Sequence, residues 1–137
     1  MLNQTLITQI NNVLKNEPKI ISAYCFGSVA GNFSTRESDL DLAFVVKNKE
    51  NVTEKQIYHL LKDLSFPKNL DISLVDKKSS PLFLFEIVSR GQKIYVSDEF
   101  AVSNFEAFVL NNYYDNSHLR NIYYGYLKNK FPSSYVN

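Results

Sequence analysis

The chain has 137 residues, 45% of them apolar and 14% aromatic, with 15 basic side chains against 14 acidic ones. That length suits one domain with a real hydrophobic core, and high aromatic content with balanced charge is the reverse of a disordered composition. A net charge of +1 argues against a basic face built to grip nucleic acid, so no direct nucleic-acid binding is expected. No apolar run approaches the roughly 20 residues of a membrane span, and the stretch from Pro81 to Val88 already contains Glu86. The opening MLNQTLITQINN lacks the basic flank and unbroken apolar stretch of a secretory signal. Cys25, the single cysteine, cannot pair internally, which fits a reducing compartment. We expect a cytoplasmic protein with no membrane association.

Leu2, Leu6, Ile7, Ile10, Val13 and Leu14 fall at helical spacing, and Pro18 stops the helix. Ile20 to Phe26 reads as a mostly buried strand ending at Gly27. From Gly27 to Ser38 small and polar residues predict a loop with at most one short helix. Asp39 to Val46 alternates, with Leu40, Leu42, Phe44 and Val46 on one face and Asp39, Asp41, Ala43 and Val45 on the other. Thr53 with Gln56 makes a capping box that opens a helix running through Leu64. Asn69 to Val75 is a third strand, with Asp71, Ser73 and Val75 sharing a face.

Ser80, Pro81 and Gly91 bracket an apolar segment with a cap, a first-turn proline and a terminator, so it reads as a helix. Gln92 to Val96 is a short strand, and Glu99 to Lys130 predicts one long helix or two in tandem. The order is that of an α/β (α+β) domain, a small mixed sheet covered by helices. Residues 1–97 form the core of a single domain over 1–137, and 98–137 its C-terminal helical segment.

One constellation carries chemistry. Gly27-Ser28 closes a strand, ten residues follow, and Asp39-Leu40-Asp41 opens the next strand. A Gly-Ser turn at a strand end leaves backbone N–H groups and a hydroxyl free to hold phosphate oxygens. Asp39 and Asp41 project from one face, and two such carboxylates repel unless a cation sits between them; hard oxygen ligands suit Mg²⁺. Asp71 would add a third carboxylate if its strand pairs with that of Asp41. Three carboxylates facing a phosphate-holding turn are what two-metal phosphoryl chemistry requires. Singly each feature is commonplace, and an alternating strand with Asp outward can simply have one wet face; the joint spacing is what points to a site.

The stretch GSVAGNFSTRESDLDLAFVV resembles the signature of the DNA polymerase β-like nucleotidyltransferase superfamily. More narrowly, the whole chain is similar to the minimal nucleotidyltransferase (MNT) antitoxins that pair with HEPN-domain toxins. Further matches are LDISLVD, the helix PLFLFEIVSRG followed by KIYV, and a C-terminal helix containing YYD. The resemblance implies a polymerase β-like fold, with Gly27 and Ser28 holding the nucleotide triphosphate and Asp39 and Asp41 holding Mg²⁺, two ions in all. Asp71 matches the third, catalytic carboxylate. It implies ATP as substrate and transfer of AMP to a tyrosine hydroxyl of a HEPN ribonuclease partner, neutralising it. Relatives usually carry a basic residue after Gly-Ser-x-Ala, where this chain has Gly31 and Asn32; Arg36 is the candidate to supply that nucleotide contact. Two alternatives stay open: a non-catalytic antitoxin acting by steric cover, and a small-molecule transferase of the aminoglycoside-modifying type.

The remaining chemistry-bearing residues read as structural. His59 and His118 sit inside helices with no Cys or His at ligand spacing, so zinc is not expected. Cys25 beside Phe26 reads as a small core residue. Tyr113, Tyr114, Tyr123, Tyr124 and Tyr126 divide between packing on the sheet and a partner surface, where tyrosine is enriched.

Overall fold

The computed structural model describes residues 2–26 and 39–115, together with positions 121, 124, 125 and 128. Among the described residues the main elements run, in chain order, α1 (Gln4–Leu14), β1 (Ile20–Phe26), β2 (Leu40–Val46), α2 (Glu54–Leu61) after a single 3-10 turn at Lys49–Asn51, β3 (Leu70–Val75), α3 (Pro81–Arg90), β4 (Gln92–Val96) and α4 (Glu99–Asp115). The strands form one sheet in the order β3-β2-β1-β4. β2 and β3 pair in parallel, while β1 runs antiparallel to both of its neighbours, so the sheet is mixed as the element order implies.

Local signals set the element ends. Asn3 caps α1 through a 2.8 Å bond from the Leu6 N–H, and the reciprocal Thr53–Gln56 box caps α2. That second helix stops at Leu61, one turn before the predicted Leu64; Leu64 instead closes a turn on the Leu61 carbonyl and packs half-buried against the core. Ser80 accepts from the Phe83 N–H to start α3, with Pro81 at its first position. Gly91 ends α3 in extended backbone rather than the left-handed region. Its role is close approach: a Cβ there would strike the Ile87 carbonyl oxygen and crowd Tyr24 and Cys25 on β1.

Each face of the sheet is covered. On one, Leu40, Leu42, Phe44 and Val46 of β2 pack with Leu6, Ile10 and Leu14 of α1 and Ile57 and Leu61 of α2. On the other, Ala43 and Val45 pack with Tyr24, Val75, Leu84 and Ile87 of α3, and Phe105 and Val109 of α4. The face of β2 that bears Asp41 is therefore not a wet face; Ala43 and Val45 are fully buried. Only its end, where Asp41 sits, opens to water. Cys25 is buried in the first cluster, as a core residue should be, and burial pushes its thiol pKa up.

Side-chain bonds tie the layers together. The Asn11 amide donates to both the Ile7 and the Ile94 carbonyls, joining α1 to β4, and the Tyr95 hydroxyl donates to the Leu14 carbonyl. No helix among the described residues is long and apolar enough to cross a membrane.

Candidate active site

β1 ends where β2 and β3 begin, so one edge of the sheet gathers Phe26, Asp39, Asp41 and Asp71. Asp41 lies opposite Phe26 on one side and opposite Asp71 on the other. The parallel register of β2 and β3 pairs Leu40 with Leu70 and Leu42 with Ile72, and this register alone brings the two carboxylates side by side. Neighbouring strands lie about 4.8 Å apart, so Asp41 and Asp71 are in contact range on the α3/α4 side of the sheet. Asp39 stands just before β2, where the Leu40 N–H is held by the Asn69 carbonyl at 2.8 Å. Asp41 is half-buried, whereas Asp39 and Asp71 are exposed at the mouth.

The electrostatics follow from this crowding. Burial raises the Asp41 pKa above the ordinary carboxylate range, the adjacent Asp71 charge and shared hydrogen bond raise it further, and Asp39 adds to it. A carboxyl so placed is relieved by a proton or by a cation. That is the demand hard divalent ions satisfy, and the donor set is all carboxylate oxygen. The fit to Mg²⁺ is chemical rather than ready-made: among the described residues no three His, Cys, Asp or Glu side chains stand gathered to hold a metal ion as they are.

The wall beside Asp41 is aromatic. Phe26 meets Phe83 of α3 edge to face, with ring centroids 5.6 Å apart at 73°. This pair escaped the sequence reading, although an aromatic residue closing a strand just before Gly27 was a signal available to it. Behind the wall, the buried Tyr24 hydroxyl donates to Glu106 of α4 at 2.7 Å, and Lys93 of β4 binds the same carboxylate at 2.9 Å. Burial, then the Glu106 bond, holds the Tyr24 phenol above its usual range, so it stays a neutral donor that ties α4 to the sheet.

Of the residues singled out from sequence, Asp39, Asp41 and Asp71 come together at this edge. Gly27, Ser28 and Arg36 lie outside the described residues, as do His118, Tyr123 and Tyr126. His59 sits on the exposed side of α2. Tyr113 is half-buried and stacks on Phe85 at 3.7 Å and 9°, while Tyr114 is exposed.

Residues 8–100 match the family of polymerase beta nucleotidyltransferases, a span that includes all four strands and both strand-borne carboxylates. The chain belongs to that family. Among solved structures it is similar to a toxin–antitoxin MntA–HpeT mutant, at TM-score 0.65 and 18% identity over 93% of this chain and 98% of that one. A toxin–antitoxin structure with AMP-PNP aligns at TM-score 0.60 and 22% identity, over 93% and 98% of the two chains. A third, a tri-AMPylated Shewanella oneidensis HEPN toxin in complex with MNT antitoxin, aligns at TM-score 0.61 and 18% identity over 88% and 95%. At these identities the likeness is one of fold. No curated protein matches the chain significantly.

Proposed function

We propose that this protein is an MNT antitoxin that transfers AMP from ATP to a tyrosine hydroxyl of a HEPN ribonuclease toxin and so neutralises it. The observation that carries the reading is the in-register contact of Asp41 with Asp71, with Asp39 at the mouth beside them. Family membership supports the nucleotidyl chemistry. Full-length similarity to MNT antitoxin folds seen with HEPN toxin, AMP-PNP and AMPylated toxin supports the partner and the nucleotide.

In this reading residues 1–137 act as one domain in the cytoplasm. Gly27 and Ser28 bind the triphosphate, Arg36 supplies a basic contact, and Asp39, Asp41 and Asp71 hold Mg²⁺. The metal supplies charge neutralisation on the triphosphate and lowers the pKa of a bound hydroxyl. The acceptor oxygen forms a bond to the α-phosphorus while the bond from that phosphorus to the α–β bridging oxygen breaks, and pyrophosphate leaves. The phenolic proton passes to Asp71, the exposed member of the pair. A phenol suits this step because it gives up its proton more readily than an alcohol. AMP on such a tyrosine places negative charge and bulk where an RNA phosphate would sit.

A steric antitoxin is the second reading, favoured by Gly31 and Asn32 standing where relatives carry a basic residue. One experiment separates the two. The HEPN partner is incubated with this protein, ATP and Mg²⁺ and then weighed by mass spectrometry. The transferase reading expects added AMP units, lost in chelator and in the Asp39→Asn/Asp41→Asn protein. A toxin that is inhibited yet unmodified would replace transfer with steric cover.

A further inference from the structure

Two carboxylates that repel each other are held at the site by unequal supports. Asp41 sits on β2, with β1 on one side and β3 on the other. Asp71 is the second residue of β3, and β3 is the edge strand: among the described residues no strand pairs with its outer side. The ends of such strands are where pairing opens first, and the adjacent charge of Asp41 pushes Asp71 outward. The start of β3 needs a second hold.

A hydroxyl of α2 supplies it. The Asn69 carbonyl accepts from the Leu40 N–H at 2.8 Å, on the β2 side. Successive carbonyls along a strand alternate in direction, so that of Leu70 faces the open edge. There it accepts from the Tyr58 hydroxyl at 3.0 Å. The Leu70–Asp71 peptide unit is planar, so its oxygen and the Asp71 N–H project from opposite sides of one rigid plate. β2 holds that plate on one side and Tyr58 on the other, and the Asp71 Cα is attached to it. We infer that Tyr58 is a positioning residue for AMP transfer: it fixes the Leu70–Asp71 peptide so that the Asp71 carboxylate stays beside Asp41.

The anchor is firmer than what it holds. α2 opens with the reciprocal Thr53–Gln56 cap, and Ile57, next to Tyr58, is buried with Leu61 against the sheet. Tyr58 itself is 41% exposed, so water can reach the Leu70 carbonyl. Water would satisfy that oxygen yet tie it to nothing, whereas the phenol ties it to α2. Tyr58 belongs to the α1/α2 layer, while Asp71 stands on the α3/α4 side of the sheet. The hydroxyl therefore lies away from the reacting groups and acts only through Asp71.

The role rests on the proposed transfer reaction, in which Asp71 receives the phenolic proton, and Tyr58→Phe tests it by removing the hydroxyl and keeping the ring. With the HEPN partner, ATP and Mg²⁺, kcat should fall roughly 10-fold, the low end of what supports of metal-holding carboxylates contribute. KM for ATP should hold. Glu106→Ala, which loosens α4 instead of β3, should keep its kcat per folded molecule.

The metal-free protein alone gives a second readout. Amide hydrogen exchange at Leu40 and Asp71 should quicken about 10-fold in Tyr58→Phe, while Phe44, further along the same ladder, keeps its wild-type rate. Equal quickening at all three would mean that Tyr58 supports the whole fold, and overturns the inference. Slower transfer with unchanged exchange at Asp71 overturns it too, because the hydroxyl would then act elsewhere. A wild type that transfers no AMP sinks the transfer reading and this role with it. A wild type that does, beside a Tyr58→Phe protein of equal kcat, sinks the role of Tyr58 alone.

Discussion

Helices α1 and α4 do the same structural work and finish it differently. Each buries three apolar residues: Leu6, Ile10 and Leu14 of α1 lie in the cluster on one face of the sheet, Phe105 and Val109 of α4 lie in the cluster on the other, and α4 buries Val102 as well. The outer side of α1 is Gln4, Thr5, Thr8, Gln9 and Asn12, all of them polar. The outer side of α4 carries Phe100, Leu110 and Tyr114. The contrast extends to the layers beneath. The α1/α2 face of β2 is apolar from Leu40 to Val46, whereas the α3/α4 face starts at Asp41 and only then turns apolar. One face is apolar along its whole length; the other ends in like charges, where burial and Asp71 disfavour the charged form of Asp41.

The sharpest way to break this contrast is at the carboxylates. Asp39→Asn with Asp41→Asn is expected to lower AMP transfer on the order of 10³-fold or more, the scale of losing a principal electrostatic contact in the transition state. Its thermal midpoint should stay the same or rise, because clustered like charges are removed. A double variant that unfolds would show the pair to be structural. The opposite pattern belongs to the other face. Leu42→Ala, from a fully buried position, should cost about 2–5 kcal/mol in denaturant unfolding, while transfer per folded molecule is retained.

A smaller effect probes how α4 is anchored. Glu106→Ala strips the acceptor from the buried Tyr24 hydroxyl and should cost about 1–3 kcal/mol. Tyr24→Phe in the same chain should recover part of that loss, since the orphaned hydroxyl goes too. A double variant no more stable than Glu106→Ala alone would place the loss in the Lys93 ion pair instead.

The smallest expected effect is in pH. The folded-state pKa of Asp41 is raised above its unfolded value by burial and by Asp71. Between the two values the folded chain binds the extra proton, so this contribution is present below the unfolded pKa and is lost as pH rises through the folded one. The stability of wild type relative to Asp41→Asn should therefore fall from the acid side toward neutrality in metal-free buffer. Excess Mg²⁺ should restore part of it. A difference that is flat with pH would mean that Asp41 is not held against a second charge.

Much of this was legible in one dimension because local chemistry settles it. The Thr53–Gln56 box, the Ser80-Pro81 start and the strands Ile20–Phe26 and Gln92–Val96 all depend on residues within a few positions of one another. The Gly-Ser, ten-residue, Asp-x-Asp spacing likewise flagged Asp39 and Asp41 without knowledge of the sheet. Helix α2 shows the limit: its apolar periodicity runs on to Leu64, but the chain turns after Leu61 so that Leu64 packs as part of a turn.

What only the tertiary structure decided are relations between residues distant in sequence. That Asp71 joins Asp41 depends on β3 pairing parallel to β2 in one register; a slip of a single residue would turn Asp71 to the opposite face. That Gly91 also lies tight against β1, beyond its local approach to the Ile87 carbonyl, depends on α3 packing beside Tyr24 and Cys25. That α4 has a second apolar side depends on which of its residues the sheet takes. Composition and periodicity record what a residue prefers, while pairing and packing, set by the whole chain at once, determine which preference is met.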